Sequence, residues 1–464
     1  MPSERVEPHR YSPIVTTGAV DTAIAARRDA AHEADTASSS ARTTLAVLTV
    51  WAIVIGTAHV LLERIQAAGA NIRIQAAPLV GTFDLRVSGR LLAALTVGTV
   101  LVFGAPRLLA RVTWRTLLPV SAAAAATWAV SLALVDGVQG LTSPLEARTE
   151  YLADVANVGS PGAFLSTFVD RIGDYSIHVQ GHPPGMLLLL SALDRVGLAG
   201  AGWAAALCIA GGAVAVPAVL VAVREVAGEE MARRSTPFLV ITPAAIWIAT
   251  SADAFFMGVS AWAVALVVLA TGRQGRRSDV YALAGGLLFG AAAFLSYGLV
   301  LLAVVPAAVA WQRRRLRLLA LAAIGAAPVF LAFLARGFWW VGGLVATREQ
   351  YFAGVGSRRP YLEFLVANAA CLAIVLGPAG TVALARVRDR RLWLLVGGAL
   401  LVLGAAMISG MSKGEVERIW LPFVIWLLPA GAVLAAGRAR VTTGWLGLQA
   451  TAAIVVATAV KTSW

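Results

Sequence analysis

Apolar runs of about 20 residues, separated by short arginine clusters, constrain this chain more than any single motif. A helix of that length crosses the hydrocarbon core of a bilayer, and in lipid only helices and closed barrels satisfy their backbone internally. Of 464 residues, 59% are hydrophobic and 14% charged, where a soluble domain has roughly 25% charged. The sequence therefore predicts an all-α, polytopic integral membrane protein. Runs lie near 43–62, 90–110, 116–135, 201–223, 236–251, 254–271 and 280–297. Others lie near 298–311, 316–336, 361–385, 392–409, 419–436 and 443–460. Together they amount to about 13 transmembrane helices.

Charge sets the expected orientation. A net charge of +13 on a soluble chain would suggest a nucleic-acid partner. Here the arginines cluster between apolar runs, at Arg27/Arg28, Arg107/Arg111/Arg115, Arg233/Arg234, Arg273/Arg276/Arg277, Arg313–Arg317, Arg386–Arg391 and Arg438/Arg440. That pattern follows the positive-inside rule of a multi-pass plasma-membrane protein and not a nucleic-acid surface. It puts the N-terminus in the cytoplasm. It puts the 136–182 loop, Asp253, the 337–360 loop and Ser412–Arg418 outside; the arginines of the 64–89 connection go against the bias. Residues 1–42 are polar and Ala/Ser/Thr-rich, so we expect a disordered cytoplasmic tail and no cleavable signal peptide. Residues 43–135 then form N-terminal transmembrane helices, 136–200 an outer loop, and 201–464 the remaining membrane core. Cys208 and Cys371 lie in apolar runs and read as free, inert thiols, with no disulfide framework or zinc site indicated.

Four polar stretches fall on the expected outer face. In the first, Glu146, Glu150 and Asp154 are spaced i, i+4, i+8. A helix there would place all three on one face, as a general base, as a divalent-cation site, or as the solvated side of an amphipathic surface helix. The second, Tyr175–Gly185, holds His178 and His182 and the pair Pro183-Pro184 immediately before an apolar run. Proline suits the first turn of a helix, so the pair fixes where the helix starts. The histidines can bind a phosphate, hold a loop or cap the helix. In the third, Asp253 lies between two apolar runs, where an ionisable group usually has a partner or a role. The last holds Lys413, Glu415, Glu417 and Arg418, and only one other lysine, Lys461, occurs in the chain. It reads as a lipid-phosphate site or as a set of interface anchors around Trp420.

From about residue 136 to 436, these stretches resemble the GT-C membrane glycosyltransferases, which include the aminoarabinose transferases of lipid A and the protein O-mannosyltransferases. Glu146/Glu150-Tyr151 is similar to their acidic first-loop motif, His182-Pro183-Pro184 to the stretch that starts their surface helix, and Thr250–Asp253 to their later outer-face Asp. Lys413-Gly414-Glu415 with Pro422 is similar to their late Lys-Gly stretch. The chain departs from the family in having Leu145 where an Asp is expected, two additional leading spans, and the block Glu415–Trp420, which suggests a separate, actinobacterial subfamily. The resemblance implies a GT-C-like fold and a polyprenyl-phosphate-sugar donor in the membrane lipid. It implies a cell-envelope glycan, lipid or protein acceptor. It also implies Glu150 as base, with Glu146 or Asp154 next, and Lys413 and Arg418, with His182, on the leaving phosphate. Asp253 and His178 would position the acceptor, Glu415 and Glu417 would line the substrate site, and a Mg or Mn ion would sit at the acids. A transporter or lipid flippase is the competing class, and a non-catalytic envelope scaffold a third.

Overall fold

The computed structural model describes residues 17–435 and 439–464, without the side chains of 17–40, Leu109 and Ala110. The chain divides into two compact units, one ending at Thr49 and the other Val50–Trp464; all that follows concerns the second unless stated. The long helices are α1 (Thr17–Ala67), α2 (Leu91–Arg111), α3 (Trp114–Ala133), α4 (Gly185–Arg195), α5 (Ala201–Ala227) and α6 (Ala252–Thr271). They continue with α7 (Gly275–Ala293), α8 (Arg317–Leu334), α9 (Tyr361–Arg386), α10 (Leu392–Ser409) and α11 (Ala439–Ala459). Residues 1–16 of the expected disordered tail lie outside the described residues, as does Arg438. From Thr17 the chain is helical, in keeping with the high helix propensity of its alanine-rich sequence.

Among the described residues, nine helices are long and apolar enough to cross a membrane, fewer than the 13 expected. Four apolar runs account for the difference. The 236–251 run is a helix ending at Val240, then a 3-10 turn over Pro243–Trp247. Pro243 has no N–H and disfavours helical geometry at Thr242 before it; the Thr242 carbonyl accepts from Ala245 N at 3.2 Å within the turn and from Trp128 Nε1 at 3.1 Å. The 419–436 run is broken into Val416–Ile419, Leu421–Val424 and a 3-10 segment Leu428–Val433, with Pro422 and Pro429 in the pieces. The 298–311 run is part of a shorter apolar helix, Tyr297–Gln312, and α7 opens with Arg276, Arg277 and Asp279.

The 136–182 loop also differs from expectation. Between α3 and α4 it is mostly a chain of short 3-10 turns, not amphipathic α-helix. Glu146 ends one turn (Ser143–Glu146), and Glu150 precedes the next (Tyr151–Val158). A 3-10 helix repeats every three residues, so the i, i+4, i+8 alignment of Glu146, Glu150 and Asp154 is lost. The start of α4 follows Pro183-Pro184 as predicted, with Pro184 as the residue before its first turn.

Two close approaches set the frame around Asp253. Helices α5 and α6 cross at Gly211 and Gly258, where a Cβ on Gly258 would lie 2.4 Å from the Gly211 carbonyl oxygen. Helix α9 kinks at Gly377 (φ 68°) before Pro378. Buried Gln449 on α11 bridges the break, donating to Leu376 O at 2.5 Å and accepting from Ala379 N at 3.1 Å. A two-stranded antiparallel ladder, β1 (Gly81–Phe83) with β2 (Val460–Thr462), ties the segment after α1 to the segment after α11. Overpacking a tight crossing costs about 1–3 kcal/mol. Gly258→Val should therefore lower the melting temperature of the purified protein, whereas Gly202→Ala, with open space at its Cβ, should leave it unchanged; equal melting of both would contradict the crossing.

Candidate active site

Arg418 lies at the centre of the site. It follows Gly414 and Glu415, which turn the chain through positive φ (81° and 63°) into the one-turn helix Val416–Ile419. Its guanidinium is 5% exposed. Nη1 donates to Asp253 Oδ2 at 2.7 Å, and Nη2 donates to Glu415 Oε2 at 2.8 Å and to His178 Nε2 at 2.7 Å. The Trp464 ring covers it, with its centroid 4.5 Å from Cζ.

Each partner is fixed by its own local structure. Asp253, 2% exposed, is in the first turn of α6; Ser251 caps that helix by accepting from the Asp253 amide at 3.2 Å, and its hydroxyl donates to Asp253 Oδ2 at 2.9 Å. A carboxylate there also interacts favourably with the helix dipole. His178 is in the one-turn helix Ile177–Gln180, whose amide at His178 donates to Thr149 O at 3.2 Å. Its Nδ1 lies 2.8 Å from Glu150 Oε1, within ion-pair range though misaligned for a hydrogen bond. Arg418 can only donate, so the ring must present a lone pair at Nε2. Burial and the Arg418 charge oppose protonation of His178, but its contacts with Glu150 and Glu415 prevail and raise its pKa. Protonation would turn Nε2 into a donor, with the Glu415 carboxylate 3.9 Å away as a charge partner and not a hydrogen-bond acceptor.

The other expected site residues are placed as follows. Asp154 is buried, but its carboxylate accepts from Ser176 N and Asn157 Nδ2, both at 2.8 Å, and so pins the loop that carries His178. Glu146 is exposed and is not part of the cluster. His182 is buried, and its Nδ1 donates to His178 O at 2.9 Å; burial holds its pKa down despite nearby Asp253, which keeps the ring neutral. The Lys413 ammonium is directed onto backbone, donating to Gly356 O at 2.5 Å and Arg359 O at 2.8 Å. Burial and the nearby Arg359 lower its pKa. Glu415 is opposed by burial but held far below the carboxylate range by His178, Arg418 and Arg359. Glu417 faces away from the cluster: fully buried, it accepts from Val80 N at 3.2 Å through Oε1, and Oε2 has no hydrogen-bond partner among the described residues.

Sequence reading gave no site role to several participants. Tyr151 is buried beside both histidines, 6.3 and 5.9 Å between ring centroids, with its hydroxyl unpartnered among the described residues. Burial, then Asp253 and Glu150, push its pKa well up, so it remains a phenol. Arg359 is buried and places Nη1 3.7 Å from Glu415 Oε1. Trp464 reaches the cluster only through the β1–β2 ladder. Of these, Tyr151 carried a sequence signal in its adjacency to Glu150 and Arg359 in the 337–360 loop expected on the same face, whereas Trp464 carried none. The opposite ends of α5 and α6 carry a separate group, in which Glu225 accepts from Arg273 at 3.0 Å and Arg313 at 2.9 Å.

The divalent cation expected at the first-loop acids finds no donor set there: Glu146 is exposed, the Asp154 carboxylate already accepts from Ser176 N and Asn157 Nδ2, and among the described residues no group of three or more His, Cys, Asp or Glu is arranged to hold a metal ion.

No family model matches the chain, and no curated protein matches it. Among solved structures, it is similar to a crystal structure of the Archaeoglobus fulgidus oligosaccharyltransferase in complex with zinc and sulfate. The identity is 16% and the TM-score 0.38, over 68% of this chain and 48% of that one. The chain thus spans about half the length of that structure, and at that TM-score the likeness carries no weight for fold or chemistry.

Glu417 makes the site's surroundings pH-sensitive. Burial is the main cause that pushes its pKa from 4.5 up to about 7, with the Glu415 charge adding to it and the Val80 amide opposing it. An acid raised in the folded state contributes stability that is fully present below the unfolded value and lost as pH rises through the folded one. Wild-type protein should therefore lose a few degrees of melting temperature relative to Glu417→Gln as pH rises from 4.5 to about 7. Parallel melting curves for the two proteins across that window would contradict a buried, proton-holding Glu417.

Proposed function

We propose that the chain is a membrane glycosyltransferase of the GT-C type, using a polyprenyl-phosphate-linked sugar and transferring it to an envelope glycan, lipid or protein at the outer membrane face. The observation that supports this reading best is the pairing of Glu150 with His178 and Arg418 in one buried cluster. A carboxylate can take the proton of the acceptor hydroxyl, and a fixed cation can stabilise the phosphate as it leaves. Glu150 takes the proton of the acceptor hydroxyl, with His178 beside it to hold that charge in check. Arg418 offers its remaining Nε–H, which has no partner among the described residues, to the phosphate as its negative charge grows. Asp253 and Glu415 keep the guanidinium in place, while His182 and Tyr151 line the approach to Glu150. Lys413, with its ammonium on the backbone carbonyls of Gly356 and Arg359, supports the loop and does not meet the phosphate directly. Glu146 and Asp154 leave the role of base to Glu150, the first by exposure and the second by its two hydrogen bonds.

Loss of a general base typically costs 10²–10⁴-fold in rate. In membranes supplied with radiolabelled polyprenyl-phosphate-sugar, Glu150→Gln should lose transfer by about that factor while remaining folded and inserted. Transfer at the wild-type rate by this variant would remove Glu150 as base. Gradient-driven uptake without transfer in the wild type would replace the enzyme with a transporter.

A further inference from the structure

The charges at the end of α5 and α6 remote from Asp253 do not balance. Two turns meet there: 272–279, which leads from α6 into α7, and 312–317, which leads from the apolar helix Tyr297–Gln312 into α8. With Glu225 they hold seven arginines and two carboxylates. The pairing can be followed residue by residue. Glu225 accepts from Arg273 and Arg313, and Arg317 donates to Asp279 at 2.6 Å. Arg315 donates to Arg273 O at 2.6 Å and to Gln274 Oε1 at 3.3 Å, which ties the two turns together. Arg276, Arg277 and Arg314 are left over: all three are exposed, and their side chains have no partner among the described residues.

Each of the three is held there against a local cost. Arg276 and Arg277 are in the first turn of α7, which contains no acidic residue, and the helix dipole opposes positive charge at that end. Arg314 has φ 54°, a left-handed conformation in which glycine is the relaxed choice. The neighbouring surface is apolar. Trp311 is 73% exposed, Leu316 and Val280 are exposed as well, and only 6% of α8 is buried. We propose that these two turns bind the phosphate headgroup of an anionic membrane lipid, with Arg276, Arg277 and Arg314 as its cationic contacts and the open face of α8 beside its acyl chains. A guanidinium donates paired hydrogen bonds to phosphate oxygens, and basic residues at a membrane surface attract anionic lipid, each adding about fivefold to the affinity. Free phosphate would meet the charge but leave Trp311 and α8 uncovered, whereas a lipid covers both. The inference stands apart from the sugar-transfer reading, since a transporter could use the same surface.

The test is native mass spectrometry of the purified full chain in detergent, titrated with phosphatidylglycerol or with phosphatidylcholine of the same acyl chains. Wild type should bind phosphatidylglycerol about tenfold or more tightly than phosphatidylcholine. The triple variant Arg276→Gln, Arg277→Gln, Arg314→Gln should lose that preference. A second triple variant, Arg388→Gln, Arg390→Gln, Arg391→Gln, removes the same charge from another exposed turn and should keep it. The proposal is overturned if wild type does not discriminate between the two lipids, or if the first triple variant binds phosphatidylglycerol as tightly as wild type. It is also overturned if the second triple variant loses as much as the first, because the attraction would then be diffuse and not local. Inorganic phosphate that displaces phosphatidylglycerol at equal concentration would overturn a lipid as the occupant. Should the first triple variant not fold, its three single variants decide: an unchanged preference in all of them overturns the proposal, and a weakened preference in any supports it.

Discussion

A guanidinium out of water is the interaction on which the remainder of this structure depends. Breaking a buried ion pair by removing one member typically costs about 3–5 kcal/mol, because the other charge is left uncompensated. Arg418 avoids that cost by drawing partners from three separate stretches: the loop helix at His178, the start of α6 at Asp253, and Glu415 beside it in sequence. Each partner in turn needs its own support. Ser251 orients Asp253, Glu150 stands behind His178, and Arg359 stands behind Glu415. The cluster is therefore a constraint on the fold as much as a site. The 136–182 loop, the α5–α6 pair and the segment after α10 must reach their mutual positions for any one of these charges to be tolerable.

The supporting contacts follow the same logic at the backbone. Where glycine and proline break α9, a side chain from another helix takes up the freed groups, as Gln449 does at Gly377; at the Pro243 turn Trp128 adds a second donor to the Thr242 carbonyl. Asp154 and Lys413 belong here too. Both are charged residues in the functional stretches, yet one binds an amide and the other two carbonyls. They hold loops so that Glu150, His178 and Arg418 can meet. The ion pairs of Glu225 with Arg273 and Arg313 lie at the far end of α5 and α6, a helix length of roughly 30 Å away.

Much of this was legible in the sequence because it rests on local rules. Apolar runs long enough to span gave nine of the helices, and Pro183-Pro184 gave the start of α4. Charge bias put four polar stretches, from Glu146 to Arg418, on one expected face; of their residues Glu150, His178, Asp253, Glu415 and Arg418 meet in one buried cluster, whereas Glu146, Asp154, Lys413 and Glu417 are directed elsewhere. The remainder depends on tertiary context. Prolines 243, 422 and 429 turned apparent spans into broken segments, a result that hydropathy cannot register. The spacing of Glu146, Glu150 and Asp154 suggested one helical face, but the chain takes 3-10 turns there and separates the three. Whether a lysine meets a ligand or a carbonyl is not written in its neighbours, and Trp464 enters the site only through a strand pairing that links residues almost 380 positions apart.

The central claim is that Arg418 and Asp253 are energetically one unit, and a double-mutant cycle on stability measures that directly. Arg418→Gln, Asp253→Asn and the double variant would be compared with wild type by reversible denaturation of the purified protein. Distant, independent sites add to within about 0.5 kcal/mol, whereas members of one buried network couple by up to about 3 kcal/mol. The account predicts coupling well above 1 kcal/mol in magnitude, with the double variant less damaged than the sum of the single ones. Additive effects of two individually destabilising substitutions would contradict it.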